Sequence, residues 1–305
     1  MSYFANILVF ICIYGILAIS LNLTIGFAGI FNLTHAAFFG IGAYTSALLT
    51  LTGVPFWLSF ICAFLIAAIF GFLISLPATR LKGIYLAIVT FGFAEIIIAV
   101  MKNWQGLTRG PLGLPGIPKA SLFGFKFAST WEFFVLAAVV LIITYVIISK
   151  IVNSPFGRTM RAIRDDEIAA KALGKNVMKY KSYAMLIGAG FAGIAGSLFA
   201  HYITFIDPSS FTLTELILML SMIVVGGIAS VPGALLGAAI LVILPEPLRF
   251  LYLPSSIVAA IRQMLFSGIL IAMLLFKPNG ILGERRLLLK KNAKSSWFIK
   301  KLWRG

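Results

Sequence analysis

Long apolar runs alternate with short polar segments along almost the whole chain. A helix needs about 20 apolar residues to cross a hydrocarbon core about 30 Å thick. This criterion predicts nine spanning helices, with an error of one in either direction, and therefore an all-α polytopic membrane protein with a bundle of about 8–10 transmembrane helices within residues 1–276. The candidate spans are 4–24, 30–52, 57–78, 84–101, 131–150, 182–204, 213–231, 233–251 and 257–276.

Composition supports this interpretation. The 305 residues are 61% hydrophobic and 11% charged, whereas a soluble domain is about half apolar and a quarter charged. The net charge of +16 raises nucleic-acid binding as a possibility. However, eight of the 25 basic residues lie in 150–181 and nine lie in 277–304, and basic clusters between apolar runs are typical of cytoplasmic loops. The charge therefore indicates membrane topology.

The basic clusters predict the orientation of the chain. They place a loop at 153–181, the edge at 79–83 and a basic tail at 277–305 in the cytoplasm. Counting spans back from the tail then places 102–130 and the N-terminus outside. The segment 102–130 is rich in Gly and Pro and too polar to span, so we expect a structured external loop that could dock another protein.

The most highly charged loop carries the signals of a helix. Ser154 and Pro155 suit an N-cap and a first helical residue, because serine accepts orphan amide hydrogens and proline has none to offer. Gly174 suits the stop. The segment therefore predicts one cytoplasmic helix of about five turns, at 3.6 residues per turn.

One face of this helix is apolar. At 100° per residue, Phe156, Met160, Ile163 and Ala170 fall on one stripe, with Glu167 in its middle. Glu167 precedes Lys171 by four residues, the favourable order for a helical ion pair. A carboxylate on such a stripe needs a partner if the stripe is covered, so the question is what covers it.

The first two spans are irregular. Glycines at 26, 29, 40 and 42 bracket the polar residues Asn32, Thr34 and His35. Two interpretations are open, a broken or re-entrant helix and a short cytoplasmic turn at 26–32 between ordinary spans. In transporters, such breaks expose helix ends to polar substrates. The three polar residues are therefore candidates for the translocation path, although a lone histidine like His35 is more often a satisfied interhelical residue.

Glu95 is an acidic residue inside a predicted span. A carboxylate there is costly and usually faces the bundle interior or a cavity. It either lines the path or reaches the polar region near the outer face, and we favour the second alternative slightly.

Small residues mark two further segments. One ridge recurs every four residues and predicts close internal packing of a helix. The other segment, 224–240, has glycines around Pro232 and faintly echoes 28–44, as an internal duplication would. The ridge consists of Ala184, Gly188, Ala192, Gly196 and Ala200.

Sequence signals of catalysis are absent. The only Gly-Lys pair, Gly174–Lys175, is followed by Asn, so there is no nucleotide-binding P-loop, and no HExxH, GxSxG or CxxC pattern occurs. Asp165, Asp166 and Glu167 could bind a cation, but consecutive positions on a helix point in different directions. We expect a chain that is not an enzyme, with no metal site and no bound cofactor.

The cytoplasmic segment resembles a known motif. The run DDEIAAKALGKNV (165–177) is similar to the coupling loop of ABC importer permeases, whose pattern is Glu-Ala-Ala, three residues, then Gly. The matching positions are Glu167, Ala169, Ala170 and Gly174, with Ile168 where the first Ala would be and one residue inserted before the Gly.

The resemblance extends along nearly the whole chain. Segments similar to LivM-type permeases of branched-chain amino-acid importers occur in the same order. They are LNLTIGFAGIFNLTHAAFFGIGAY, RLKGIYLAIVTFGFAEI, TRGPLGLPGIP, SPFGRTMRAIRDDEIAAKALG and VVGGIASVPGALLGAAILVILPE.

This resemblance implies a set of partners in the bacterial cytoplasmic membrane. They are a second, related permease subunit, two cytoplasmic ATPase subunits that bind ATP and Mg²⁺, and an extracytoplasmic solute-binding protein. The ATPase groove would cover the Phe156/Met160/Ile163/Ala170 stripe and would pair with Glu167. The C-terminus would be cytoplasmic.

The implied function is ATP-driven import of Leu, Ile and Val. Related ABC permeases for urea, short amides or other amino acids are alternatives. An ion-driven secondary carrier is a rival from another class, which would need several buried carboxylates. A membrane-anchored scaffold without transport is a third hypothesis.

Overall fold

The computed structural model describes residues 2–78, 81, 83–122, 125–246, 255–277 and 280–283. Arg80, Lys82, the end of the predicted span 233–251 and most of the basic tail 277–305 lie outside the described residues. The helices are α1 (Ser2–Asn22), α2 (His35–Leu51), α3 (Phe56–Ala78), α4 (Ile84–Asn103), α5 (Gln105–Thr108), α6 (Thr130–Asn153), α7 (Pro155–Asp165), α8 (Glu167–Ala172), α9 (Val177–Ile203), α10 (Leu213–Gly226), α11 (Val231–Ile243) and α12 (Ser255–Phe276).

The prediction of an all-α polytopic membrane protein is confirmed. Nine apolar helices of the described chain follow the order of the nine predicted spans, and six are long and apolar enough to cross a membrane. The shorter apolar helices are α2, α11 and the segment Gln263–Met273 of α12. At 1.5 Å per residue, the 17 residues of α2 extend about 25 Å.

Helix α9 lies at the centre of the bundle and packs against α2 and α3. Its small residues allow this approach, as predicted. A Cβ atom on Gly196 would lie 2.1 Å from the carbonyl oxygen of Phe39, and one on Gly42 would lie 2.2 Å from the Cα of Gly193. Ala192 and Ala200 are fully buried. The ridge therefore serves internal packing.

The first two spans are two helices separated by a non-helical break at residues 28–34, which is closest to the expected alternative of a short turn at 26–32. After α1 the chain makes a π-helical turn at Leu23–Phe27 and has no helix at 28–34. Helix α2 begins at His35, whose Nε2 lies 2.9 Å from the Oγ of Ser20, so the chain has already turned back to the level of α1. The predicted span 30–52 therefore begins too early, because glycine and buried polar side chains hold the backbone at 28–34 in a non-helical path.

A second break separates α10 from α11, at residues 227–230. The backbone turns at Gly227 (φ 128°) and Ala229 (φ 64°). Asn22 joins it to the first break: its Oδ1 accepts a hydrogen bond from the Ala229 amide (2.9 Å), and its Nδ2 donates to the Ser230 carbonyl oxygen (2.8 Å). The two segments that echo each other in sequence thus both carry breaks, and one buried side chain connects these breaks.

The predicted external segment 102–130 is structured. It contains α5, a 3₁₀ turn at Gly110–Leu112 and short strands. Strand β1 (Leu114–Pro115) pairs antiparallel with β4 (Phe205–Ile206), which follows α9, and β2 (Ser121–Leu122) pairs with β3 (Phe125–Lys126). These elements lie at the end of the bundle opposite α7.

Candidate functional site

The segment predicted as the coupling loop begins as expected. The Ser154 Oγ accepts a hydrogen bond from the Gly157 amide, and Pro155 is the first helical residue. Gly157 permits the tight α6–α7 turn, because a Cβ atom there would lie 2.1 Å from the Val152 carbonyl oxygen. Helix α7 therefore leaves α6 in a fixed direction.

The prediction of one five-turn helix is wrong. The chain breaks at Asp166, which is extended, and continues as α8. The Asp166 carboxylate accepts hydrogen bonds from the amides of Ile168 (2.9 Å) and Ala169 (3.0 Å), so it caps the second helix. A short acidic side chain can accept hydrogen bonds from nearby backbone amides in place of helical carbonyl oxygens. At Asp166 these side-chain hydrogen bonds form, and the helix is interrupted there.

The apolar stripe is covered by this chain itself, which corrects the expectation that an ATPase groove covers it. Met160 and Ile163 are buried in the fold, and Ala170 packs with Ile163 against α9. Phe156 stacks on Tyr180, with ring centroids 5.0 Å apart. Helices α7 and α8 are thus packed onto the membrane bundle.

Glu167 is also paired within the chain and not left for a partner protein. Its carboxylate contacts the Nζ atoms of Lys171 and Lys181, each at 2.9 Å, which confirms the predicted pair with Lys171. Burial raises the pKa of this carboxyl, but the hydrogen bonds from Lys181 and Lys171 outweigh burial and hold the pKa below its usual value of 4.5. Glu167 therefore ties α8 to α9 as an ionised group.

A different surface of α8 is open to solvent. The side chains of Ile168 and Leu173 are 74% and 79% exposed, and Ala169 and Ala172 beside them are also exposed. Gly174 (φ 76°) follows as the predicted helix stop. We call Ile168, Ala169, Ala172 and Leu173 the α8 apolar patch. It lies outside the apolar spans, where such a patch marks an interaction surface.

The predicted path residues around the first break are buried. Asn32, Thr34 and His35 have no exposed surface. The Asn32 Oδ1 accepts hydrogen bonds from the amide and the hydroxyl of Thr34, and the Leu33 amide donates to Thr90 Oγ1 on α4. In this conformation these side chains hold the break in shape. The Asn32 Nδ2 is buried without a hydrogen-bond partner among the described residues.

Glu95 is the twelfth residue of α4. At 1.5 Å per residue it lies about 12 Å before the end of a helix about 30 Å long, so its side chain is too short to reach the outer face. The residue is exposed in the single chain. It lines a crevice with the starts of α2 and α10, and the N-caps of both helices, Thr34 and Thr212, have no side-chain cap. This position does not support the outer-face alternative, and the path position stays a prediction.

Sequence reasoning missed several polar contacts of the bundle. Tyr14 donates to the Glu215 carboxylate between α1 and α10, beside a cavity of about 700 Å³. The Arg164 Nη1 donates to the Gly26 carbonyl oxygen at 2.8 Å. The sequence signal that could have indicated such contacts is a polar residue inside an apolar run, as at Asn22. Within the described residues, no group of three His, Cys, Asp or Glu side chains is placed to hold a metal ion.

We expect the contribution of Glu167 to stability to depend on pH. Because its folded-state pKa is lowered, the contribution is complete above about pH 4.5 and disappears as the pH falls through the folded-state value. Glu167→Gln should cost about 1–3 kcal/mol at pH 7, since it leaves the mostly buried Lys181 unpaired. Thermal unfolding in detergent at pH 7 and pH 4 measures this difference, which should shrink at pH 4.

The matched control is Lys175→Gln. Lys175 is exposed just after α8, and a surface substitution of this kind costs little. Its stability should stay within about 0.5 kcal/mol of the wild type. A cost of Glu167→Gln that is equal at both pH values would contradict the ion-pair assignment.

Comparisons with known proteins agree with the architecture. The family model described as branched-chain amino acid transport system / permease component matches residues 3–275. The high-affinity branched-chain amino acid transport system permease protein LivM of Escherichia coli is 36% identical over 91% of this chain and 69% of its own length.

Two further relatives cover most of both chains. The probable branched-chain amino acid transport permease protein LivM of Methanocaldococcus jannaschii is 27% identical over 92% of this chain and 94% of its own length. The permease protein LivH of E. coli is 28% identical over 89% and 91%, respectively. No solved structure gives a significant match. The extent of the family match and the identity to LivM show that the chain belongs to the permease component family of branched-chain amino acid transport systems.

Proposed function

We propose that this chain is a permease subunit of an ABC importer and moves branched-chain amino acids across the bacterial cytoplasmic membrane. The observation that carries this proposal is the combination of two features. Within the part of the chain that the structure describes, nine apolar helices form a bundle with an amphipathic α7–α8 unit at one end, and the chain matches the permease family from residue 3 to residue 275. ATP and Mg²⁺ bind to partner ATPase chains and not to this chain.

The α8 apolar patch is the proposed docking surface for an ATPase subunit. The chain itself covers Met160, Ile163 and Ala170. These residues therefore pack α7 and α8 against the bundle and do not contact the ATPase. Ala169 and Gly174 remain at the surface, together with Ile168 and Leu173. A compact patch beside basic residues fits a groove in a soluble partner, and its movement is transmitted to α9 through Glu167 and Lys181.

The proposed path passes the crevice beside Glu95. An exposed carboxylate at mid-span is costly against lipid, so this face of α4 faces a second permease subunit or the water-filled path between the two subunits. Glu95 suits the ammonium of an amino acid. The starts of α2, near Asn32, Thr34 and His35, and of α10 suit the carboxylate, because helix N-termini carry partial positive charge.

The other partners follow from the same proposal. The chain is similar to both LivM and LivH, which supports a related second permease subunit. An extracytoplasmic solute-binding protein delivers the substrate at the 102–130 end and supplies most of the specificity. The α7 end and the C-terminus face the cytoplasm, where ATP is available.

Uptake by proteoliposomes that contain the whole complex tests this function. We expect accumulation of labelled leucine that needs both ATP and the binding protein, and that unlabelled isoleucine and valine suppress. Competition by urea or acetamide alone would instead assign a related ABC permease. Uptake by this subunit on an ion gradient without ATP would contradict the proposal in favour of a secondary carrier.

Leu173→Asp tests the ATPase docking surface. A charge in the α8 apolar patch should reduce co-purification of the ATPases about tenfold or more, while the permease remains in the membrane. The matched control is Leu112→Asp, at the opposite end of the bundle, because Leu112 is 83% exposed. Full co-purification with the Leu173 variant, or equal loss with both variants, would contradict the assignment.

Glu95→Leu tests the path. We expect uptake to fall about tenfold or more, since about 1.4 kcal/mol of lost attraction for the ammonium is sufficient, while the complex assembles normally and Glu95→Asp retains part of the uptake. Glu132→Gln, which changes an acidic residue in the first turn of α6, is the control and should transport normally. Wild-type uptake by Glu95→Leu would place the path elsewhere.

A further inference from the structure

Arg164 connects α7 to the end of the first span. Its guanidinium Nη1 donates to the Gly26 carbonyl oxygen at 2.8 Å, and its Nε lies 3.1 Å from the carboxylate of Asp165. The side chain is only 12% exposed. Carbonyl oxygens at a helix C-terminus lack intrahelical donors and favour a nearby cation. Arg164 of α7 therefore supplies a charged donor to the C-terminal end of α1 and its π-helical turn.

The backbone at 26–29 is shaped to receive this arginine. Gly29 has a φ of 68°, and a Cβ atom there would lie 2.8 Å from the Arg164 Cγ and 3.1 Å from its Cβ. Arg161, one turn earlier on α7, lies over the ring of Phe27, with 5.7 Å from its Cζ to the ring centroid. Two arginines of α7 therefore contact the same turn, and Arg164 binds its backbone.

The contact continues to the second break. A Cβ atom on Gly26 would lie 2.1 Å from the Asn22 Oδ1 and 2.6 Å from the Ala229 amide nitrogen. The same Asn22 oxygen accepts the Ala229 amide, and its Nδ2 donates to the Ser230 carbonyl oxygen. Arg164, the turn at 23–29, Asn22 and the turn at 227–230 thus form an unbroken series of contacts.

We propose that Arg164 is the positioning residue through which movement of α7 reaches the two helix breaks of the membrane bundle. Helix α7 cannot move away from α1 without breaking the hydrogen bond to Gly26 and lifting the arginine stem off Gly29. A displacement of α7 therefore carries the π-helical turn and, through Asn22, the 227–230 turn. The starts of α2 and α11 follow these turns directly. This inference rests on the proposed function.

Arg164→Met in the complete importer tests the proposal. Methionine keeps an apolar stem against Gly29 but loses the charge and the donor to Gly26. We expect the ATPases to co-purify at wild-type stoichiometry. The basal rate of ATP hydrolysis, measured without binding protein, should stay within about twofold of the wild-type rate. Uptake should fall about tenfold or more, and hydrolysis should no longer rise when loaded binding protein is added, as expected if about 1.4 kcal/mol of coupling is lost.

Two further variants separate positioning from folding. Arg164→Lys restores the charge and a donor and should recover part of the uptake. Arg158→Met removes an exposed arginine of the same helix and should behave like the wild type. Amide hydrogen exchange gives a readout that does not depend on transport: Arg164→Met should speed exchange at 24–30 and 227–230, and Arg158→Met should not.

The outcomes are distinguishable. A parallel loss of ATPase chains, thermal stability and both activities in Arg164→Met would assign a merely structural role and overturn the proposal. Coupled, wild-type uptake in that variant would also overturn it. A wild-type complex that shows no ATP-dependent uptake would overturn the proposed function and this inference together.

Discussion

The structure depends on satisfying backbone hydrogen bonds where helices end and the chain turns inside the bundle. A buried backbone group without a partner is costly, so each such turn needs a polar partner. The chain meets this constraint with a few buried polar side chains: Asn22 binds the 227–230 turn, Thr90 accepts the Leu33 amide, and Arg164 binds the Gly26 carbonyl. Other buried polar side chains, such as Ser46 and Ser197, lie inside uninterrupted helices and bind each other.

Helices α7 and α8 differ in how they are attached to the bundle. Helix α7 directs its apolar side chains, Arg161 and Arg164 toward the bundle, so it is packed as part of the membrane bundle. Helix α8 is fastened by Glu167 to Lys181 of α9 and leaves Ile168 and Leu173 exposed. A displacement of α8 can therefore reach the bundle in two ways. Glu167 connects α8 directly to α9, and Arg164 of the adjoining helix α7 connects to the end of α1. The Asp166 cap keeps the two helices separate elements.

Hydrophobic run length predicted the order of the spans, because helix length at membrane depth is set by bilayer thickness. The N-cap at Ser154 and the stop at Gly174 were also predictable, since both depend on local chemistry. The break at Asp166 could not be predicted in this way, and neither could the identity of the surface that covers the apolar stripe of Phe156, Met160, Ile163 and Ala170. Helical periodicity shows that a stripe is buried, but it does not show whether the covering surface belongs to the same chain. Asn22 and Arg164 act over more than 130 residues of sequence, which a single sequence does not reveal.

The residues of the crevice beside Glu95 also suggest which part of substrate recognition belongs to the permease and which to the solute-binding protein. Under the proposed function, Glu95 and the two uncapped helix starts would bind the ammonium and carboxylate that all amino acids share once the crevice, about 10 Å³ in this conformation, opens. The other lining side chains are mostly apolar. One methylene in an apolar pocket discriminates by only about 1–3 kcal/mol, so such a path would separate Leu, Ile and Val poorly. It would, however, disfavour a solute without both charges, because its ionic groups would then remain unpaired at mid-span. Under the proposed function, the permease therefore selects the zwitterion, and selection by side chain falls to the binding protein.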